Sequence, residues 1–248
     1  KIWKNIEQIF TMSKRAIILA GGLGTRLRPY TVVLPKPLMP VGEYSILEVI
    51  IRQLVKYKFE HITLAVNHQA EIVKALFQNG ERWGIKIDYS LEKKRLGTMG
   101  PLKLMNDLPD DFLIMNGDVL TDLNFESFFN DHVKNKCNFT ISSKSRNEKI
   151  DYGVLEIDNS NCLRDFKEKP SVDFEVSMGI YMMNKNILSF IPDYDYYGFD
   201  NLMLDLLKAK REVKVINHSG YWLDIGRPDE YIQATEEFEE KRSIFLND

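Results

Sequence analysis

RAIILAGGLGTRLRPYT, residues 15–31, is the stretch from which the fold can be read. Arg15 to Ala20 is a short apolar run, the pattern of a strand buried on both faces of a parallel sheet. It runs straight into Gly21-Gly22-Leu23-Gly24, where three glycines remove Cβ atoms and open main-chain N–H groups to an anion. Beyond this loop, Ser45 stands before Ile46, Leu47, Ile50, Ile51 and Leu54, an N-cap followed by an apolar helical stripe. A strand is expected over 61–67, a helix over 69–77, a strand over 85–91 and a helix beginning at 101–105. A buried strand over 112–115 then ends at Asn116-Gly117-Asp118. Alternation at this spacing implies a mainly parallel sheet covered on both faces, with ligands beyond the carboxyl ends of its strands. Strands over 139–142, 154–157, 164–168 and 176–182 are expected to extend that sheet as a mixed, partly antiparallel region holding a second substrate. Helices are expected over 199–208 and 229–241, the latter closing the chain.

The 248 residues are 44% hydrophobic and 28% charged, which suits one large α/β domain. With 33 Lys and Arg against 36 Asp and Glu, the net charge is −3, without the basic excess of a surface that coats nucleic acid. No apolar run approaches the roughly 20 residues that span a bilayer, so neither a nucleic-acid nor a membrane partner is expected. Residues 1–11, ahead of Met12, lack the apolar stretch and cleavage site of a secretory signal. An N-terminal extension over 1–13, a single domain over 14–240 and a cytoplasmic location are expected. Cys137 and Cys162 form no CxxC pair, so neither a disulfide framework nor a zinc site is suggested, and both are read as buried thiols.

The glycine loop lacks the GK[ST] of a P-loop and does not read as the dinucleotide GxGxxG, which disfavours a P-loop ATPase and a nicotinamide enzyme. Arg26 supplies a fork-shaped phosphate donor directly after it. Lys36, within Leu34-Pro35-Lys36-Pro37, adds a second cation on a stiff, proline-flanked loop. Asp118 follows a buried strand, so its carboxylate is expected at the sheet's carboxyl edge.

LAGGLGTRLRPYT (19–31), LPKPLMPVG (34–42), LGTMGPL (96–102), NGDVL (116–120), YGV (152–154), FKEKP (166–170) and YWLDIGRPDEY (221–231) follow one another in that order. The set resembles the sugar nucleotidyltransferases (NDP-sugar pyrophosphorylases) over about residues 14–235. The resemblance implies a three-layer α/β/α, Rossmann-like (GT-A-like) nucleotidyltransferase fold with a mixed, mainly parallel central sheet. It also implies transfer of a nucleotidyl group from an NTP to a sugar 1-phosphate, with release of pyrophosphate. On this footing Leu19, Ala20, Gly21, Gly22, Gly24, Thr25, Arg26, Lys36, Glu92, Gly97, Thr98 and Asp118 bind the nucleotide. Asp118 and Asp224 hold Mg²⁺, while Arg26, Lys36 and Asp118 carry catalysis. Gly153, Glu168, Lys169 and Gly179 receive the sugar phosphate, Glu168 accepting from hydroxyls and Lys169 pairing with the phosphate. A phosphate monoester, with its second pKa at about 6, is already anionic at neutral pH and needs no general base. His61, His68, His132 and His218 fall in no motif and are read as structural or solvated.

Relatives that bind thymine or uracil usually carry glutamine where Glu92 stands. A carboxylate only accepts, which suits the adjacent N1–H and N2–H donors of guanine, and the chain is similar to the mannose-1-phosphate guanylyltransferases. GTP and mannose 1-phosphate are therefore the favoured substrates. The same reaction with dTTP, UTP or CTP, or with a heptose, aminosugar or non-sugar phosphate, stays open, as does a catalytically silent sensor of sugar nucleotides or a regulatory subunit. Lys93-Lys94-Arg95 replaces acidic and proline residues common in the family and is read as a solvated loop, with an aid to anion capture as the alternative. Met99 stands where a small residue is usual. Exposed apolar helix faces could pair subunits into a homo-oligomer.

Overall fold

The computed structural model describes residues 13–67 and 69–246. The opening apolar run forms β1 (Lys14–Leu19). Its side chains divide between two packing clusters, Ala16 and Ile18 on one face of the sheet and Ile17 on the other, all fully buried. That division makes β1 an interior strand. A small hairpin, β2 (Pro40–Val41) and β3 (Tyr44–Ser45), precedes β4 (Phe59–Val66) and β5 (Lys86–Leu91). Then come β6 (Asp111–Asn116), β7 (Val119–Thr121), β8 (Phe139–Lys149), β9 (Gly153–Ile157), β10 (Leu163–Glu168), β11 (Ser171–Asn184), β12 (Lys214–Asn217) and β13 (Trp222–Asp224). The central sheet has seven strands in the order β12-β8-β11-β6-β1-β4-β5. Only β11 runs against the rest, antiparallel to both β6 and β8, so the sheet is mixed and mainly parallel, as expected.

One face is covered by α1 (Ile46–Lys56), α2 (Ala70–Phe77), α3 (Phe125–Lys134) and α5 (Pro228–Phe238), the other by α4 (Phe199–Lys208) with short 3-10 segments. The result is the three-layer α/β/α arrangement. Ser45 caps α1 by accepting from Glu48 N–H at 3.2 Å, and the apolar stripe behind it is fully buried. Each such side chain contributes roughly 1.5–3 kcal/mol by leaving water. No helix among the described residues is long and apolar enough to cross a membrane.

Several expectations need correction. The helix expected from residue 101 is a 3-10 segment, Gly100–Leu104, because Pro101 starts it and the chain must straighten again for β6. The strands over 154–157 and 164–168 do not extend the sheet; β9 and β10 pair only with each other, as an exposed antiparallel ribbon. Cys162 lies exposed at the ribbon's turn and Cys137 is only half-buried, so neither is a core thiol. The last expected helix stops at Phe238, and a further turn, α6 (Arg242–Phe245), returns Phe245 and Leu246 to the core. α3, capped by Asn124 accepting from Ser127 N–H at 2.8 Å, has no counterpart in the sequence reading. The extension over 1–13 lies, apart from Ser13, outside the described residues.

Candidate active site

β1, β4, β5 and β6 run parallel, so their carboxyl ends share one edge, and Leu19 stands beside both Ala65 and Asn116. The glycine loop leaves β1 at that edge. Its base is fixed by the Ala20 N–H bond to Ala65 O (2.8 Å) and by Gly117 N–H donating to Leu19 O (3.0 Å). The Asn67 amide donates to Gly21 O. A cleft of about 500 Å³ opens here, lined by Leu19, Gly21, Gly22, Leu23, Gly24, Thr25, Glu92, Gly97, Thr98 and Asp118 among others. Of the residues assigned to the nucleotide, Ala20 is buried behind the loop, and Arg26 and Lys36 do not line this cleft.

Lys36 and Arg26 instead meet the acids. The Lys36 ammonium donates to Asp118 Oδ2, and both side chains are largely buried. Asp224, over a hundred residues away in sequence, reaches the same place because β13 pairs antiparallel with β7 and sets Asp224 opposite Val119. Ile225 N–H then donates to Asp118 O at 3.0 Å, tying the two acid-bearing turns together. Burial pushes the Asp224 carboxyl above its ordinary range, and the neighbouring charge of Asp118 pushes it further; Lys36 and Arg26 partly offset this. The guanidinium of Arg26 lies against Gly226, 3.1 Å from where a Cβ would stand. Two partly buried carboxylates whose charges act on one another, one of them with an orphaned oxygen, Asp118 Oδ1, suit a divalent cation, which would relieve both the repulsion and the missing partner. Among the described residues no group of three or more His, Cys, Asp or Glu is arranged for a metal. A hard cation that also takes phosphate oxygens and waters needs only one or two carboxylates.

The wall opposite Asp118 is built from residues 92–98 and 195–199. Tyr197 N–H donates to Leu96 O at 2.8 Å, Met99 and Gly100 N–H both donate to Tyr197 O at 3.0 Å, and Thr98 Oγ1 accepts from Phe199 N–H at 2.7 Å. Thr98 thus caps α4 as well as lining the cleft. Gly97 sits at φ +79, and a Cβ there would stand 2.6 Å from Tyr197 O, so only glycine fits this turn. Burial raises the Glu92 carboxyl above the usual carboxylate range, partly countered by Leu96 N–H donating to its Oε2 at 3.3 Å.

The residues assigned to the sugar phosphate are placed differently. Gly153 and Glu168 face one another across the β9–β10 ribbon, and Lys169 follows in a left-handed turn. None of the three lines the cleft. Gly179 does approach it, packed against Asn116 with the Asn116 amide 2.5 Å from its would-be Cβ. Asn116, Arg95, Pro101 and Tyr196 also line the cleft and were not assigned from sequence. Asn116 was legible as the last residue of a buried strand, whereas Tyr196 carries no local signal. Lys93, Lys94 and Arg95 are all exposed, in keeping with a solvated loop, and Arg95 in addition lines the cleft. Three histidines serve structure: His132 is buried between Thr140 and Asp111, His61 bonds Asp88, and His218 bonds Asp122. His68 lies outside the described residues.

The nucleotidyl transferase family model matches residues 15–241. The chain belongs to the nucleotidyl transferase family. Relatives of the chain include the UTP–glucose-1-phosphate uridylyltransferase of Synechocystis sp., 31% identical over 242 residues, with 89% of this chain and 62% of that protein covered. The mannose-1-phosphate guanyltransferase of Yarrowia lipolytica is 34% identical over 230 residues, with 89% of this chain and 63% of that protein covered. The chain therefore spans about three-fifths of the length of the curated relatives it matches. Among solved structures it is similar to HddC from Yersinia pseudotuberculosis complexed with GMP-PN, at 26% identity and a TM-score of 0.69, covering 91% of this chain and 99% of that one.

Proposed function

We propose that this nucleotidyl transferase moves a guanylyl group from GTP to a sugar 1-phosphate, mannose 1-phosphate in the first instance, giving a GDP-sugar and pyrophosphate. The observation that carries the reading is the meeting of Asp118, in the turn between β6 and β7, with Asp224, at the end of β13, beside a glycine loop that lines the same cleft as Asp118. In the proposed reaction an oxygen of the sugar phosphate attacks the α-phosphorus, and the bond to pyrophosphate breaks in line. The loop over residues 21–25 cradles the triphosphate with main-chain donors. Lys36 and Arg26 hold positive charge beside the two acids and balance the anionic groups that converge there. A divalent cation, Mg²⁺ in this reading, would be held by Asp118 and Asp224 and would supply charge neutralisation to both substrates. No proton needs removing from the attacking phosphate, in keeping with three histidines held in structural contacts away from the cleft.

Glu92 supports guanine, because its carboxylate borders the cleft and offers only acceptors. The named guanyltransferase relatives and the guanine nucleotide in the HddC complex favour the same base, while the uridylyltransferase relative makes UTP the comparison that matters. Glu168 and Lys169 are proposed for the sugar phosphate, on the ribbon beyond the sheet. The proposed unit spans residues 14–240, and a cytoplasmic location accords with two free thiols.

The test is pyrophosphate release from GTP, dTTP, UTP, CTP and ATP, each against several sugar 1-phosphates with Mg²⁺. GTP with mannose 1-phosphate is expected to lead. Asp118→Asn should lose most turnover while keeping the parent's circular dichroism. Turnover at the parent's level in that variant, or no preference for GTP, would overturn the assignment.

A further inference from the structure

Three consecutive cations, Lys93, Lys94 and Arg95, follow β5, and Arg95 is the one that lines the cleft. Among the described residues its guanidinium enters no ion pair or side-chain hydrogen bond. Its position is fixed from both ends of the turn. Glu92 N–H donates to Val66 O at 2.9 Å, Glu92 Oε2 accepts from Leu96 N–H at 3.3 Å, and Leu96 O accepts from Tyr197 N–H at 2.8 Å. Arg95 and Glu92 therefore sit on one wall, at the β5 end of the cleft.

That end is distant from the acids. In the order β6-β1-β4-β5, three strand spacings of about 4.8 Å separate β6, which leads to Asp118, from β5, a span of about 14 Å. A triphosphate held by the β1 loop beside Asp118 leaves its base at the β5 end. The edge of guanine presents, in sequence, the N2–H and N1–H donors and then the O6 and N7 acceptors. A carboxylate matches the first pair. An arginine fork matches the second, the commonest specific contact to guanine.

We propose that Arg95 is a specificity-determining residue that donates through its guanidinium to O6 and N7 of guanine while Glu92 accepts from N1–H and N2–H. The inference rests on the GTP reading above. Adenine would turn its N6 amino donor against the guanidinium, and pyrimidines have no N7.

The experiment measures kcat/KM for GTP, 7-deaza-GTP, which lacks the N7 acceptor, ITP, which lacks the N2 amino group, and UTP. The proteins are the parent, Arg95→Ala, Arg95→Lys and the neighbouring control Lys93→Ala. A good bidentate contact discriminates by about 1–3 kcal/mol, roughly 5- to 150-fold. The parent should prefer GTP over 7-deaza-GTP within that range. Arg95→Ala should lower GTP use and abolish this preference, while the GTP-to-ITP ratio, which reports Glu92, stays at the parent value. Arg95→Lys should fall between, and Lys93→Ala should match the parent. Arg95 is exposed, so its variants should melt with the parent. Equal use of GTP and 7-deaza-GTP by the parent, an unchanged ratio in Arg95→Ala, or an equal loss for every nucleotide, the mark of a phosphate contact, would overturn the proposal and leave the GTP reading standing. A parent that prefers UTP would overturn both.

Discussion

Glu92→Gln separates recognition from stability in a single substitution. Glu92 Oε2 accepts from Leu96 N–H at 3.3 Å, and Oε1 lies 2.7 Å from where a Cβ of Gly21 would stand. Glutamine has the same shape, and its oxygen can keep the Leu96 bond, so the turn over 92–96 should persist. Its amide then turns donors toward the N1–H and N2–H of guanine. Losing a hydrogen bond to a charged group costs about 1.5–3 kcal/mol, so kcat/KM for GTP should fall roughly tenfold to a hundredfold, while the UTP-to-GTP ratio rises. Stability should move the other way. Burial raises the Glu92 pKa in the folded state above its value in the unfolded chain. Its favourable contribution is therefore full below the unfolded pKa and is lost as pH rises through the folded one. Glutamine carries no such loss. In urea denaturation the variant should be more stable than the parent at pH 8, with the gap closing as pH falls toward the ordinary carboxylate range. Undiminished GTP use would refute the base assignment, and a variant less stable at pH 8 would refute the burial argument.

Asp224→Asn should remove the thermal shift given by Mg²⁺. At a hundred times its Kd a bound cation adds about 2.7 kcal/mol, about 5–10 °C for a chain of this size, so a shift of equal size in the variant would exclude Asp224 as a ligand. Without cation the same variant should be more stable than the parent at neutral pH, because burial and Asp118 both penalise the Asp224 charge; equal denaturation midpoints would contradict this. Lys36→Met leaves the largely buried Asp118 without its ion pair and should cost about 3 kcal/mol, most of it recovered when Asp118→Asn is added; a double-mutant cycle in urea measures the recovery. Gly97→Ala places a methyl 2.6 Å from Tyr197 O at a positive φ and should cost at least about 1–2 kcal/mol, with a higher KM for the nucleotide because residues 195–199 must shift. An unchanged melting temperature would show that the turn can relax.

The sequence by itself determined the local chemistry and the layer order. Alternating apolar runs, the Ser45 cap and the glycine-rich exit from β1 follow from short-range periodicity and main-chain sterics, and they fixed an α/β sheet with a site at its carboxyl edge. The family's motifs also brought Asp118 and Asp224 into one list. What brought the two acids together was tertiary: β13 had to find β7 across about a hundred residues, and no periodicity within either short strand encodes that pairing. The same holds for the ribbon. β9 and β10 read as ordinary strands because their alternation is real, but a strand's pattern does not say which edge it joins, and here the two pair only with each other. The place of Arg95 at the cleft was hidden for the same reason. Three adjacent cations look alike in sequence, and only the turn pinned between Val66, Glu92 and Tyr197 decides which of them faces the cleft.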